Sequence, residues 1–458
     1  MRYLLIIVIP LLFGKISSNF SVTPIAFLNS YSKGGIISPY DDPVLWAGYG
    51  LNGNYKKNNF HFSTELVFTR YWNLINVNNF SNVQGPPYYQ SILIGSDMEH
   101  DAQISNMKID YINENISVQI GKFSRTWGPG INKLLLSDKT PAFEQFGFFF
   151  EFNDKINFES FHGKLLSELF YAPSDIPDSP LLMRNRFIAG HRLNWKPFKG
   201  INFGLNEMVI YGDRDPELVY QLPFVFFYAV QNYLGDRDNV LWSFDLDWHI
   251  NEKINIYSSI LIDDFDYNSM FNKINNNKIG IQLGTILDDV IIPNDNFFLE
   301  FIWTHHSIYT HKHDINYAYN TEFNYPIGFW GGPHAEHLNL GYGINKWDID
   351  WILSYSYSKR GQVTDEMIEQ YHRFDYNRFT GPVEELQLIE LKIKKVFLNN
   401  ILVQFSLQNF DWLNPNFDPF DPDDDEFLLS SLSKTKKISF NLEVLYNFNL
   451  PGLNSPYH

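Results

Sequence analysis

The chain has 458 residues, no cysteine, 17% aromatic side chains and a formal charge of −17. Without a thiol there is no disulfide scaffold, no thiolate zinc site and no cysteine nucleophile. The acidic balance excludes a nucleic-acid surface, which needs clustered Lys and Arg along the phosphates, and past the N-terminus no run nears the roughly 20 apolar residues of a membrane-spanning helix.

At the N-terminus Met1, Arg2 and Tyr3 precede an apolar run from Leu4 to Phe13, and Ser17 and Ser18 follow. This is the layout of a secretory signal peptide over residues 1–18, the apolar run being too short to span a bilayer. Its removal takes away Arg2 and Lys15 and no acid, so the charge moves from −17 by two units to −19. An exported chain without cysteine suits an oxidising compartment.

From Val22 onward the apolar residues recur at period two. Trp242, Phe244, Leu246, Trp248 and Ile250 alternate with Ser243, Asp245, Asp247 and His249, so one face is greasy and the other charged. Near the C-terminus Ile438, Phe440, Leu442, Val444, Tyr446 and Phe448 alternate with Lys437, Ser439, Asn441, Glu443, Leu445 and Asn447. That length is what a tilted strand needs to cross a bilayer. In chain order the pattern predicts strands at 22–32, 44–54, 60–72, 102–112, 115–122, 143–152, 156–163, 186–196, 201–211, 240–250, 253–263, 277–285, 296–304, 336–344, 347–357, 386–396, 399–410 and 437–449.

These eighteen strands are joined by two kinds of connection. Tight links at Asn113-Glu114, Pro197 to Gly200, Asn251-Glu252, Asn345-Lys346 and Phe397-Leu398 alternate with long ones such as 73–101, 123–142, 164–185, 212–239, 305–335, 358–385 and 411–436. Only 286–295 is long where a tight turn is expected. Alternating short turns and long loops predicts an all-β fold, a transmembrane antiparallel β-barrel of the bacterial outer membrane, as one domain over 19–458. An even count places both termini in the periplasm and the long loops at the cell surface. Trp72, Trp195, Trp303, Trp347 and Trp412 lie near strand ends, where an indole in an aromatic girdle keeps one polar edge wet.

Eighteen strands enclose a lumen on the porin scale. Loops that fold into it make a binder; an open lumen makes a diffusion channel. The run Gly121, Lys122, Phe123, Ser124, Arg125, Thr126, Trp127, Gly128, Pro129, Gly130, Ile131, Asn132, Lys133, Leu134, Leu135, Leu136, Ser137 leaves a strand and turns at Gly-Pro-Gly. Three successive leucines in a loop imply packing rather than solvation.

This run, with Pro141 after it, resembles the signature region of the capsule assembly family typified by Wzi. Pro326, Ile327, Gly328, Phe329, Trp330, Gly331, Gly332 and Pro333, followed by a strand at Leu338, is similar to a second glycine-rich stretch of that family. The resemblance implies an eighteen-stranded outer-membrane barrel, its pore obstructed by inward-folded loops, which holds or organises capsular polysaccharide and performs no covalent chemistry. It makes Gly121, Arg125, Trp127, Gly128, Pro129, Gly130 and Ser137 the family-motif loop. Typical members also carry a periplasmic helical bundle, and no short turn here is long enough for one, so no periplasmic partner is carried over.

Sugar rings stack their C–H faces on aromatic side chains and bond through hydroxyls to amides and carboxylates. Loop 305–335 offers Tyr309, Trp330 and His334 among other aromatics, and 358–385 offers Tyr371 and Arg373. The implied partners are a surface glycan and outer-membrane lipids, with no cofactor. Aromatic-rich loops also pack only on one another, so both readings stand.

His305, His306, His311, His313, His334 and His337 could gather a metal, yet no helical pair or His-Glu motif supports it. Asp418, Asp421, Asp423, Asp424, Asp425 and Glu426 suit calcium chemically but lack the glycine and terminal glutamate of an EF-hand loop. Other classes remain: a cation-favouring porin, and an outer-membrane hydrolase using serines with His249, His306 or His337, for which no Gly-x-Ser-x-Gly elbow is present.

Overall fold

The computed structural model describes residues 19–33, 41–73, 94–96, 99–137, 141–165, 169–171, 181–183, 185–264, 277–311, 317, 326–369, 377–415, 417, 419–420 and 434–447. The strands of the wall are β1 (Phe20–Tyr31), β2 (Val44–Lys57), β3 (Phe60–Trp72), β4 (Glu99–Asn113), β5 (Ile116–Phe123) and β6 (Phe143–Asn153). They continue as β7 (Ile156–Leu165), β8 (Arg186–Trp195), β9 (Ile201–Gly212), β10 (Asn239–Asn251), β11 (Ile254–Asp264) and β12 (Lys278–Asp288). The last six are β13 (Asp295–Thr304), β14 (Ala335–Lys346), β15 (Ile349–Gly361), β16 (Val383–Phe397), β17 (Ile401–Leu413) and β18 (Lys434–Tyr446).

Each strand pairs antiparallel with its chain neighbours, and β1 closes on β18 from Ala26↔Tyr446 to Tyr31↔Asn441. Side chains reinforce the seam: Asn441 Nδ2 donates to Asn29 Oδ1 at 2.5 Å and the Phe440 amide to Ser32 Oγ at 3.0 Å. Closure leaves no sheet edge, so backbone groups at membrane depth are paired in the ladder. No described helix is long and apolar enough to cross a membrane; the strands cross it. Among the described residues three shorter strands lie in loops: Ile94–Ser96 against β4, and Leu169–Tyr171 paired with Leu181–Met183.

All eighteen predicted strands are present, with ends shifted by up to four residues. Predicted 347–357 begins later, at Ile349, because Trp347 and Asp348 form the turn with φ of 61° and 55°. The long connection 286–295 shrinks to 289–294. There the Asp295 carboxylate accepts from the amides of Val290, Ile291 and Ile292, and the Asp289 carboxylate accepts from the amide of Asn294. These bonds replace ladder bonds and let β12 run on to Asp288. The tight links otherwise shift by a residue or two along the chain, to 114–115, 252–253, 347–348 and 398–400. Every described helix, α1 (Leu218–Gln221), α2 (Phe227–Leu234) and α3 (Asp365–Glu369), lies in a long loop.

The strands sort their side chains by face. Leu205, Phe244, Ile260, Leu283, Leu353, Ile389, Phe405 and Phe440 point outward and are 37% to 54% exposed, which is the apolar belt a bilayer covers. Facing inward on the same strands, Asn206, Asp245, Ser259, Gln282, Glu390 and Ser406 are buried. Of the expected girdle tryptophans, Trp195 and Trp347 are exposed, at 47% and 72%. Trp412 is a correction: it lies inside, 2% exposed, because its indole N–H donates to Glu384 at 2.8 Å.

Candidate functional site within the lumen

The space inside the barrel is crossed by the segment between β5 and β6. At its start the Arg125 guanidinium ion-pairs with Glu159 on β7 and donates to Gln145 on β6 at 2.8 Å and Gln119 on β5 at 3.0 Å. It also lies 4.8 Å from the Phe161 ring centre. Trp127 donates from Nε1 to the other Glu159 oxygen at 2.8 Å and sets its ring edge-on to Phe161. A half-buried carboxylate is thus shared by two donors, which offsets its desolvation.

The chain then reaches strands far around the wall. The amide of Ile131 and the side chain of Asn132 donate to Glu300 on β13 at 2.9 and 2.7 Å. Tyr257 on β11 and Gln282 on β12 donate to the same carboxylate at 2.9 and 2.8 Å. Contacts with β7 at one end and β13 at the other make the segment a chord across the lumen. Its direction depends on Gly130, where φ is 76° and a Cβ would stand 2.3 Å from Tyr257 and 2.6 Å from Gln282. Gly128, at φ 108°, and Pro129 complete the turn over Asp245 and Gln282.

On its return the chord meets the loop after β13. Tyr309 and Tyr317 stack at 5.6 Å and donate their hydroxyls to the carbonyls of Leu134 and Leu135 at 2.5 and 2.7 Å. The Ser137 amide donates to Ile327 at 2.8 Å, and the Trp127 amide to Leu136 at 3.0 Å. Leu134, Leu135 and Leu136 are at most 2% exposed, in one cluster with Met208, Ile302, Phe329, Trp330 and Phe410. The three leucines therefore pack, as an apolar run in a loop implies. Gly121, inside β5, permits a close approach: a Cβ there would lie 2.0 Å from the Met107 carbonyl oxygen.

A second group sits at the loop end of β13 to β16. His305 and His306 pack at 3.9 Å between ring centres, and His334 stacks on Phe379 at 4.7 Å. His334 Nε2 accepts from the Phe379 amide at 3.1 Å, leaving Nδ1 to donate to Gln362 O at 2.7 Å, which is a neutral tautomer. Burial, with nearby Arg378, pushes His334 down to about 3 and His306 to about 4. Burial and the neighbouring His306 push His305 down to about 2. Arg378 is itself held by Glu336 at 2.8 Å and by the carbonyls of Thr304 and Ala335. Among the described residues no three histidines and acids are grouped to hold a metal.

The structure gathers Arg125, Trp127, Gly128, Pro129, Gly130 and Ser137 into the chord, with Gly121 at its root. Tyr309, Trp330 and His334 are 3%, 5% and 0% exposed, so their rings pack inside rather than face a ligand. Tyr371, Arg373, His313 and the acids Asp418, Asp421, Asp423, Asp424, Asp425 and Glu426 lie outside the described residues. His337 pairs with Ser358 at 2.9 Å, buried against Trp330. The sequence pattern alone did not single out Glu159, Glu300, Gln282 or the Arg360–Glu384 pair at 2.6 Å. Their signal was present as charged side chains on the inward period of β7, β13, β15 and β16 and an amide on that of β12.

The sequence profile of the capsule assembly protein Wzi family matches residues 52–425. The chain therefore belongs to that family, as a β-barrel of the outer membrane. Among solved structures it is similar to Wzi of Escherichia coli, described as a carbohydrate-binding outer-membrane β-barrel involved in group 1 capsule assembly. That match has a TM-score of 0.55 and 14% identity, covering 94% of this chain and 85% of that one. OccD3 of Pseudomonas aeruginosa gives 0.49 at 9% identity, over 94% and 91% of the two chains. OccAB2 of Acinetobacter baumannii gives 0.49 at 10%, over 94% and 98%. No curated protein sequence matches the chain.

Proposed function

We propose that this member of the capsule assembly protein Wzi family binds capsular or other extracellular polysaccharide at the cell surface and holds it there, without catalysing a reaction. The observation that carries this reading is the chord 124–137, fastened to well-separated parts of the wall through Glu159 on β7 and Glu300 on β13 and wedged by the loop after β13. A lumen crossed by a segment tied with buried charge-assisted bonds is built to stay occupied. Its loops are thereby stiffened, which lowers the ordering cost of binding a flexible glycan. The carbohydrate binding described for the Escherichia coli protein, on the same fold, supports the same reading.

In this account Gly121, Arg125, Trp127, Gly128, Pro129, Gly130 and Ser137 set the position of the chord. Tyr309, Trp330 and His334 act from within as the support of the loop surface. Tyr371 and Arg373 stay the candidates for direct sugar contact, through ring stacking and charged hydrogen bonds to hydroxyls or acid groups. Export by a signal peptide over 1–18 and a single barrel domain over 19–458 belong to the same proposal.

The test is deletion of the gene in its own host with capsule measured in cell-bound and released fractions. We expect synthesis unchanged and polysaccharide shifted from cells to medium; an unaltered cell-bound fraction would overturn the reading. A porin is the second reading, favoured by strand number alone.

A further inference from the structure

The loop joining β9 to β10 does not stay above the barrel. On β8, β9 and β10 the inward residues Ile188, Met208, Ile210 and Leu241 join the lumenal cluster, while their immediate neighbours join another. That second cluster comprises Phe187, Ala189, Val209, Tyr211 and Val240 with Tyr220, Phe227 and Val230 of the loop. Since side chains alternate across a strand, the second cluster is outside the wall. Leu205, on the same outward face as Val209, is 44% exposed, whereas Val209 is 0% exposed. The loop covers the difference.

We infer that residues 213–238 form a lipid-immersed hairpin clipped to the outer wall of the barrel, with outer-membrane acyl chains as the partner of its outer face. Depth comes from the register. Phe224 stacks on Phe158 at 4.4 Å, and Phe158 lies opposite Leu193, which lies opposite Leu205. Along β7 itself, from Leu165 at the loop end down to Phe158 is roughly 18 Å along the barrel axis at about 3.4 Å per residue and a tilt near 40°, beyond the middle of an apolar band about 25 Å tall.

Composition follows that depth. Charge gathers at the mouth, where Arg214 bonds both oxygens of Asp238 at 2.8 Å and Glu217 at 2.9 Å, and Tyr220 donates to Asp238 at 2.6 Å. Between these ends the exposed surface is mainly apolar or aromatic, with Leu218, Leu222, Phe224 and Phe226 46% to 69% exposed, and its exposed amide, Asn232, lies in the last turn of α2. It is continuous with the belt at Leu205 and Phe244. A hairpin in water would not present that face, and one in lipid must satisfy its backbone internally.

Glu207 does this. Its outward-pointing carboxylate accepts from the amides of Phe227 and Tyr228, the first of α2, at 2.9 and 3.0 Å, and from Trp242 Nε1 at 3.2 Å. A bare carboxylate on a lipid-facing wall would be expensive, so the residue fits only a hairpin that stays seated.

The chain has no cysteine, so single nitroxide labels at Leu222→Cys and Phe224→Cys can be read in dioleoylphosphatidylcholine vesicles, with Leu283→Cys as lipid-facing reference and Lys253→Cys as aqueous reference. Both labels should match Leu283→Cys, open to oxygen and shielded from a water-soluble nickel chelate. Accessibility matching Lys253→Cys would overturn the inference, since the hairpin would then be in water. Shielding from both reagents with dipolar broadening would also overturn it, because a second copy would occupy the face. Adding Glu207→Leu should mobilise the Leu222 label and leave the Leu283 label unchanged; an unmoved Leu222 label would contradict the clip.

Discussion

The chord at 124–137 and the hairpin at 213–238 begin alike, leaving the loop ends of strands and folding back along the wall, and they differ in which side they take. The chord faces a polar lumen, ties its backbone to Glu300 and Gln282, and ties its Arg125 and Trp127 side chains to Glu159. Only its three leucines and Trp127 are apolar anchors. The hairpin presents aliphatic and aromatic side chains outward and hides one carboxylate, Glu207, against the wall. The environment decides the method: backbone groups are satisfied by wall side chains in both, but only the inner segment can use many charged partners cheaply.

The largest expected effect is on the loops that prop the chord. Half-buried His305 and His306 and buried His334 are held neutral, whereas in an unfolded chain they titrate near 6.5. Their contribution is full above that value and is lost as pH falls from about 6.5 towards 4, because only the unfolded form takes up protons there. Each tenfold drop in proton affinity on folding corresponds to about 1.4 kcal/mol, so three such imidazoles together sum to several kcal/mol. Tyrosine fluorescence and protease cleavage of loop 305–334 should report loosening in that window; a flat profile down to pH 4 would contradict it.

Next comes Glu300→Ala, which strands the donors of Ile131, Asn132 and Tyr257 and takes one acceptor from Gln282, and at about 1–3 kcal/mol for each buried donor left unpaired should lower stability clearly in denaturant unfolding. An unchanged midpoint would show that the chord is not fastened there. Gly130→Ala forces a Cβ into Tyr257 at a positive φ and should cost about 1–3 kcal/mol while raising conductance fluctuations. The smallest effect is expected outside. Glu207→Leu removes the cap of α2 for about 1–3 kcal/mol, confined to the hairpin, with the barrel's unfolding midpoint preserved.

The wall was legible because period two is a local signal and lipid and lumen demand opposite chemistry at successive residues. Turn positions followed, except where Asp295 collects three amides and shortens a connection that composition made look long. The direction of the loops was not legible. Tyr309, Trp330 and His334 carry the residue types of a sugar platform, and only the contacts to Leu134, His337 and Phe379 turn them inward. The hairpin did leave a trace, an apolar run from Leu218 to Leu234 bounded by Arg214 and Glu217 on one side and Asp236 and Asp238 on the other. Such a run cannot rest in water, yet sequence alone does not tell lumen from lipid.

The most direct test of the central claim is single-channel recording of the purified barrel in a planar bilayer. A chord fastened at Glu159 and Glu300 predicts no large stable open conductance in the native chain, with openings appearing in the Glu300→Ala variant. A large, steady conductance in the native chain would contradict it.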